Sequence, residues 1–234
     1  MMPIAGRRAS SSALVERFSD FAYTQNWPFT ISKGPERRAV SSNERSLAMK
    51  NVWEVWPAIL SPADCDAVIE KAEQYPVQSA TVGFDEAQRD DHAYRSSTIR
   101  WLDPDIEAEL VKTLMRYVHA SNRTNFGVDI VAPFDLQYTE YHGTAHGKYD
   151  WHHDVWLESP RPYARKLSFV VQLSEPEDYE GGAFEFFGLQ QPGATFAPRG
   201  SMLIFPSFLQ HRVLPVTKGI RRGLVSWVEG PRWR

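Results

Sequence analysis

The segment YDWHHD at residues 149–154 constrains this chain more than any other stretch. In a β-strand, residues i and i+2 point to the same face, so His152 and Asp154 project side by side while His153 points away. An imidazole and a carboxylate placed in this way supply two of the three ligands of a 2-His-1-carboxylate site, which suits non-haem Fe(II) and leaves coordination positions open. Asp150 shares the same face, so Asp150 with His152 is a competing pair.

A third ligand has to come from a distant histidine on a neighbouring strand. His211 fits this role, and Arg221 follows ten residues later. A lone His-x-Asp motif is weak evidence, because a hydrogen-bonded histidine and aspartate at the end of a strand explain it equally well. The ordered set of His-x-Asp, a late histidine and a following arginine in a β-rich chain is much stronger evidence for a metal site.

The second half of the chain resembles a known family. The segments KLS at 166–168, LSEPEDYEGG at 173–182 and HRVLPVTKGIR at 211–221 carry this resemblance. They are similar to the Fe(II)- and 2-oxoglutarate-dependent dioxygenases, in particular to the prolyl-4-hydroxylase-like and PKHD-type hydroxylase branch. The resemblance covers roughly residues 135–230.

The resemblance implies roles for these residues. The family order of a histidine followed by an acid selects Asp154 over Asp150, so His152, Asp154 and His211 are the implied Fe(II) ligands and catalytic residues. Arg221 is the implied anchor for the distal carboxylate of 2-oxoglutarate, because a planar guanidinium offers two donors that match a carboxylate. Fe(II), the cosubstrate 2-oxoglutarate and O2 are the implied cofactors, and ascorbate is a further candidate.

Four other residues are candidate contacts of the cosubstrate. Tyr141 and Tyr149 precede His152 in a hairpin where related enzymes place tyrosines near 2-oxoglutarate. Gln172 and Ser168 lie on the strand that backs the cosubstrate in the family, and either could supply a hydrogen bond. Ordinary packing within strands is the alternative explanation for all four residues.

Candidate substrate contacts lie in two places. The loop 156–165 follows the His-x-Asp strand and borders the substrate in related enzymes, so Trp156, Arg161 and Tyr163 are candidates. A surface loop explains these three residues equally well. Arg95, on a strand-like segment earlier in the chain, is also a candidate, with a solvated strand arginine as the alternative.

The pattern of short β-like segments predicts the fold class, which is mainly β with flanking helices. Helices are expected after Ser61 and after Asp103, where a capping residue precedes proline. From Ile130 onward, turns rich in glycine and proline separate about eight predicted strands, a spacing that favours a jelly roll. The resemblance implies the same cupin-like fold, a double-stranded β-helix. The predicted strands are 134–142, 148–155, 165–174, 182–187, 194–197, 201–206, 210–216 and 221–228.

Two regions are expected along the chain. Residues 1–50 form a polar N-terminal arm that packs loosely or is partly disordered, with a lid or a partner contact as the alternative role. Residues 51–234 form a single dioxygenase domain, with helical support at 51–128 and the jelly-roll core at 130–230. The arm has no apolar segment typical of a secretory signal, whereas a transit peptide stays an alternative.

Composition limits the partners. The net charge of −3 provides no argument for nucleic acid or an acidic membrane, and the sequence lacks an 18-residue apolar run that could span a membrane. The single cysteine excludes an intrachain disulfide and fits a reducing, cytoplasmic location. We therefore expect a small-molecule or peptide substrate, while the sequence indicates no oligomeric state.

The expected function follows from the resemblance. It implies hydroxylation of an unactivated C–H bond, coupled to decarboxylation of 2-oxoglutarate to succinate and CO2. The substrate is expected to be a peptidyl, prolyl-like residue or an amino-acid-like small molecule. One alternative is a cupin-like Zn-dependent hydrolase or isomerase, since two histidines and an aspartate also bind Zn. The other is a jelly-roll binding module without catalytic activity.

Overall fold

The computed structural model describes residues 51–83, 90–131 and 133–233. The polar arm expected at residues 1–50 lies outside these described residues. The helices are α1 (Pro62–Glu73), α2 (Ala108–Ser121) and the one-turn α3 (Gly193–Phe196). The strands are β1 (Glu54–Trp56), β2 (Gln78–Ser79), β3 (Arg95–Ser96), β4 (Thr98–Leu102), β5 (Pro133–His142), β6 (Lys148–His152), β7 (Tyr163–Gln172), β8 (Tyr179–Gly181), β9 (Phe184–Phe186), β10 (Met202–Pro206), β11 (His211–Val213) and β12 (Val216–Pro231).

Two antiparallel sheets form the domain. The larger sheet has the order β1-β10-β7-β12-β5-β4-β2, and β8 pairs with β12 beside it. The smaller sheet has the order β3-β6-β11-β9. Consecutive strands alternate between the sheets along β5 to β7 and β9 to β12, which is the connectivity of a double-stranded β-helix. The predicted fold class, mainly β with flanking helices, is confirmed.

Side-chain alternation on β7 separates two cores. Phe169 and Val171 point to one face of the larger sheet and pack in a cluster with Val68 of α1 and Leu114 of α2. Val170 points to the opposite face and belongs to a second cluster that lies between the two sheets. The helices therefore cover the outside of the larger sheet, as expected, and the inner face is left to build a cavity.

The helix starts show where local sequence signals suffice. At α1, the Ser61 hydroxyl accepts a hydrogen bond from the Asp64 backbone N–H and the Asp64 carboxylate accepts one from the Ser61 N–H, so the predicted cap is present. At α2, the predicted start at Asp103 is too early. The Asp103 carboxylate accepts bonds from the N–H groups of Asp105 and Ile106, which stabilises a turn, and the helix begins at Ala108.

Two predicted strands differ from the structure. The strand expected at 194–197 is wrong, because Gly193–Phe196 forms a helical turn whose Phe196 is buried against Phe184. Four residues are too few for periodicity to distinguish a strand from a turn. The strand expected at 148–155 ends at His152. Across the described ranges, no helix is long and apolar enough to cross a membrane.

Candidate metal and cosubstrate site

Strand pairing in the smaller sheet brings the expected ligands together. His152 ends β6 and lies directly opposite His211, the first residue of β11. Asp154 follows β6, and its backbone N–H donates to the Ser207 carbonyl oxygen at 2.8 Å. The candidate ligand atoms of His152, Asp154 and His211 all lie within 4.8 Å of one another. The Nε2 atoms of His152 and His211 lie 3.8 Å and 3.6 Å from the two carboxylate oxygens of Asp154.

Both imidazole rings are oriented through Nδ1. This atom lies 2.7 Å from the Asp150 carbonyl oxygen in His152 and 2.8 Å from the Leu209 carbonyl oxygen in His211. A carbonyl oxygen accepts and does not donate, so Nδ1 carries the hydrogen and Nε2 keeps a lone pair for a metal. Burial, together with the neighbouring His211, holds the pKa of His152 well below its usual value. The ring of His152 is therefore neutral and can coordinate a metal near pH 7.

A buried hydroxyl pair supports the carboxylate of Asp154. The Ser168 hydroxyl donates to Asp154 Oδ2 at 2.7 Å and lies 3.0 Å from the Ser207 hydroxyl. Burial raises the pKa of Asp154, but the neighbouring histidines, the Arg165 charge and the Ser168 hydrogen bond outweigh it, so the pKa falls below its ordinary value. Asp154 is thus an anion with a fixed orientation, which suits a metal ligand.

These three residues face a cavity of about 400 Å3 between the two sheets. The smaller sheet contributes the ligands and Tyr149, and the larger sheet contributes Tyr141 and Arg221. Gly223 of β12 also lines the cavity and adds no side chain to it. His153 is exposed, as expected for a residue that points away from the ligands, yet it also borders this cavity.

Arg221 is a buried cation to which the described residues offer no anionic partner. Its side chain is 2% exposed and lines the cavity, and among the described residues no hydrogen bond or ion pair engages its guanidinium. Its register partner is Tyr141, whose ring centroid lies 5.7 Å from the guanidinium carbon. Arg222 lies on the other face and donates to Glu140 at 3.3 Å. Because burial of an unpaired charge costs free energy, the position of Arg221 favours binding of an anionic ligand.

Of the other cosubstrate candidates, the two tyrosines lie in the cavity and Gln172 does not. Burial raises the pKa of Tyr141, and it raises the pKa of Tyr149 to about 12, so both phenols keep their proton. The ring of Tyr149 stacks on His152 with centroids 3.5 Å apart. Gln172 lies outside the cavity lining, and its amide donates to the Tyr179 hydroxyl at 2.5 Å.

The substrate candidates are divided between two places. Arg95 lines the metal cavity, where its guanidinium carbon lies 4.4 Å from the Tyr149 ring centroid. Trp156, Arg161 and Tyr163 line a separate hollow of about 30 Å3 instead. Arg161 pairs there with Glu229 at 3.4 Å. The structure therefore brings Arg95 to the expected ligands and leaves the loop residues apart from them.

Sequence reasoning missed Arg165, a cavity residue that stacks on Trp227 at 3.9 Å. Strict alternation from Val170 would direct Arg165 to the helix-covered face. The pairing of β7 with β12 shifts register between Val228 and Glu229, which returns Arg165 to the cavity side. A bulge of this kind depends on pairing between distant segments, so no local signal in the sequence indicates it.

The comparisons with known proteins agree with this site. Residues 136–229 match the model of the 2OG-Fe(II) oxygenase superfamily. A "PKHD-type hydroxylase" of Synechococcus sp. strain JA-2-3B'a(2-13) is 43% identical over 63 residues, which are 27% of this chain and 28% of that protein. The chain thus spans less than a third of this curated relative. The resemblance seen in the sequence is confirmed. The cofactors that this family implies are Fe(II), 2-oxoglutarate and O2.

Solved structures share the fold. A Pseudomonas putida prolyl-4-hydroxylase has a TM-score of 0.58 at 20% identity, and the match covers 78% of this chain and 94% of that one. A prolyl hydroxylase from Trichoplax adhaerens, in complex with a hypoxia inducible factor oxygen degradation domain peptide fragment, has a TM-score of 0.60 at 15% identity over 76% of this chain and 83% of that one. At these identities the likeness supports the double-stranded β-helix fold.

Proposed function

We propose that this chain, which resembles the 2OG-Fe(II) oxygenases of the prolyl-4-hydroxylase-like and PKHD-type branch, is an Fe(II)- and 2-oxoglutarate-dependent hydroxylase. One observation carries the proposal. His152, Asp154 and His211, of which the last two are buried, face the same cavity as Arg221, a buried cation that lacks an anionic partner within the described part of the chain. A dicarboxylic cosubstrate supplies the anion that such a cation requires, whereas hydrolysis at a Zn site needs no dicarboxylic cosubstrate.

The donor set fits Fe(II). Two neutral imidazoles and one carboxylate are the mixed nitrogen and oxygen ligands of a facial triad, and each imidazole is oriented by a backbone carbonyl. The bound metal supplies the redox chemistry that activates O2. In the overall reaction, 2-oxoglutarate and O2 give succinate and CO2, and one oxygen atom of O2 enters the substrate C–H bond as a hydroxyl group.

The chain's own residues position the cosubstrate and exclude water. Arg221 offers paired N–H donors to the distal carboxylate, and the protonated Tyr141 beside it offers a hydroxyl donor. The interior cluster of Val170, Phe184 and Val213 makes this part of the cavity apolar, so the carboxylate gains from leaving water for a charged partner.

The substrate is proposed as a peptidyl, prolyl-like residue or an amino-acid-like small molecule. The Trichoplax relative binds a peptide fragment, which favours the first class. The cavity of about 400 Å3 lies toward the small end of ligand sites and must also admit 2-oxoglutarate, which favours the second.

Anaerobic addition of Fe(II) and 2-oxoglutarate tests the proposal. We expect the weak visible charge-transfer absorption of an iron-oxoacid chelate, which appears in the wild-type protein and is lost in His211→Ala. Admission of air with a suitable substrate should then release succinate in step with hydroxylated product. An active Zn form that produces no succinate, or no chelate absorption in the folded protein, would contradict the proposal.

A further inference from the structure

Three arginines line the cavity, and their charges are balanced in different ways. Arg221 is assigned to 2-oxoglutarate above. Burial lowers the pKa of Arg165, while the nearby charges of Asp154, Asp135 and Glu229 act to raise it, so this cation has acidic neighbours. Arg95 remains, and it is 8% exposed.

The contacts of Arg95 are all neutral. Its Nε donates to the Ser97 hydroxyl at 3.1 Å, Nη1 to the Thr81 carbonyl oxygen at 3.3 Å and Nη2 to the Gln137 side-chain oxygen at 2.9 Å. A guanidinium has five N–H donors, so two remain. In the part of the chain that the structure describes, no carboxylate pairs with Arg95. Its charge is therefore held in place but is not neutralised by any of the described residues.

Arg95 lies close to the metal site. It pairs in register with Tyr149 across β3 and β6, and its guanidinium packs on the ring of Tyr149. The same ring stacks on His152. The Tyr149 ring thus contacts both the Arg95 guanidinium and the metal ligand His152. A small molecule whose carboxylate is bound by Arg95 therefore has its C–H bonds near the metal site.

The charge balance of the loaded site leaves Arg95 in excess. Fe(II), the Asp154 carboxylate, the 2-oxoglutarate dianion and the Arg221 guanidinium together carry no net charge. A substrate carboxylate placed at Arg95 would neutralise this cation locally, whereas an internal prolyl-like residue brings no carboxylate and would leave Arg95 buried without a counter-charge from the described residues.

We propose that Arg95 binds a carboxylate of the substrate, which makes this chain a hydroxylase of free carboxylate-bearing compounds. A free amino acid and the C-terminal residue of a short peptide share this chemistry. The inference rests on the proposed function and deepens it, because it selects the acid-bearing substrates over internal peptidyl residues. The cavity volume of about 400 Å3 fits a small acid beside the cosubstrate.

A panel of matched acids and amides tests this inference on the full-length, Fe(II)-loaded protein with saturating 2-oxoglutarate. The panel contains the free L-amino acids with their amides, and short peptides with free or amidated C-termini. Two signals are measured: the shift of the anaerobic chelate absorption when a compound binds, and succinate release in air. We expect free acids to produce both signals and amides to produce neither. Comparison of the free amino acids with the peptides that have free C-termini then shows which of these two compounds supplies the carboxylate.

Variants of Arg95 test whether the chelate shift and succinate release depend on this side chain. Arg95→Gln should raise the KM of a responsive acid and its dissociation constant about 10- to 100-fold, because a charge-assisted hydrogen bond is lost, while the chelate absorption still forms. Arg95→Lys should recover part of the affinity by keeping the charge. Arg100→Gln is the matched control, since Arg100 donates to the Tyr75 carbonyl oxygen outside the cavity lining.

Several outcomes overturn the inference. They are equal responses to acids and amides, turnover of blocked peptides alone, a panel in which no free acid raises succinate release, and an Arg95→Gln variant with unchanged affinity for acids. Each of these leaves the chelate absorption intact and so leaves the proposed function standing. Absence of the chelate absorption in the wild-type protein would instead contradict the proposed function itself.

Discussion

The metal ligands and the cosubstrate anchor, on opposite walls of the cavity, are held in opposite ways. On the smaller sheet, every candidate ligand is already oriented by a protein partner, such as the carbonyl oxygens that fix His152 and His211. On the larger sheet, Arg221 is buried and its guanidinium has no anionic partner among the described residues. The ligand wall is thus preorganised by the protein alone, whereas the cationic wall is completed by a bound anion.

This difference separates two kinds of sensitivity. A preorganised metal site loses function when a ligand or its supporting hydrogen bond is removed. Removal of an unpaired cation weakens binding of its anion. In the protein without that anion, the same substitution should raise stability, because a buried charge without a partner destabilises the fold. Substitutions on the two walls should therefore affect metal binding, cosubstrate binding and stability in different combinations.

The largest effect is expected for His211→Ala. Loss of one of three ligands should abolish tight Fe(II) binding and lower succinate release more than about 100-fold, because a catalytic metal contributes several kcal/mol to the reaction. Metal content after desalting and turnover of 2-oxoglutarate measure this. His119→Ala, at an exposed position on α2, is the control and should retain both. A His211→Ala protein with normal metal content would refute the ligand assignment.

Arg221→Gln should weaken 2-oxoglutarate binding about 10- to 100-fold, because charge-assisted hydrogen bonds contribute about 1.5–3 kcal/mol. Iron binding should persist, since the ligand wall is untouched. Titration of the anaerobic chelate absorption with 2-oxoglutarate measures the dissociation constant. Arg222→Gln removes the neighbouring arginine that donates to Glu140 and should leave this constant within about twofold. Equal effects of the two variants would contradict the role of Arg221.

Ser168→Ala should weaken Fe(II) binding by about 10-fold, because Asp154 loses the buried hydroxyl that orients its carboxylate. Ser226→Ala is the matched control, since Ser226 is buried and its hydroxyl lacks a hydrogen-bond partner in the described structure. The control should leave metal affinity unchanged and leave the free energy of unfolding equal or slightly higher. Metal titration measures the Fe(II) affinity of the two variants, and urea unfolding measures their stability. Indistinguishable metal affinities would exclude a supporting role for Ser168.

Gly182→Ala should have the smallest effect on the site, a few-fold loss of 2-oxoglutarate affinity. A Cβ atom there would lie 2.9 Å from Val216 Cγ2 and 3.0 Å from Arg221 Cδ, so the arginine must shift. Gly188→Ala has a similar positive φ and meets nothing within 4 Å. Both variants should lose about 1–2 kcal/mol of stability through backbone strain, but the control should bind 2-oxoglutarate normally. A loss of cosubstrate affinity in both variants would indicate general destabilisation.

The sequence predicted the fold class and the grouping of His152, Asp154 and His211 better than it predicted where the strand with His152 ends. Asp154 was expected beside His152 by strand alternation, yet β6 ends at His152. Asp154 reaches the site because its backbone N–H is held by the Ser207 carbonyl oxygen. The expectation therefore named three residues that the structure brings together, although a contact between distant segments, rather than alternation within one strand, places the carboxylate.

The substrate side was least accessible to sequence reasoning. The loop residues Trp156, Arg161 and Tyr163 follow the ligand motif in the chain, but they line a different hollow. Arg95 is about 55 residues from the motif, and its pairing with Tyr149 carries it into the cavity. Proximity in sequence was a poor guide because the neighbours of a strand in an antiparallel sheet are set by long-range pairing.

The sequence by itself determined the chemistry of the ligands and the periodicity of the strands, because residue type and the alternation of side chains are local properties. The same alternation directs Arg221 and Arg222 to opposite faces of β12, where their contacts differ. Tertiary structure decided which cations share the cavity. Arg165 enters through a register shift and Arg95 through pairing of β3 with β6, and such pairings form when distant segments meet.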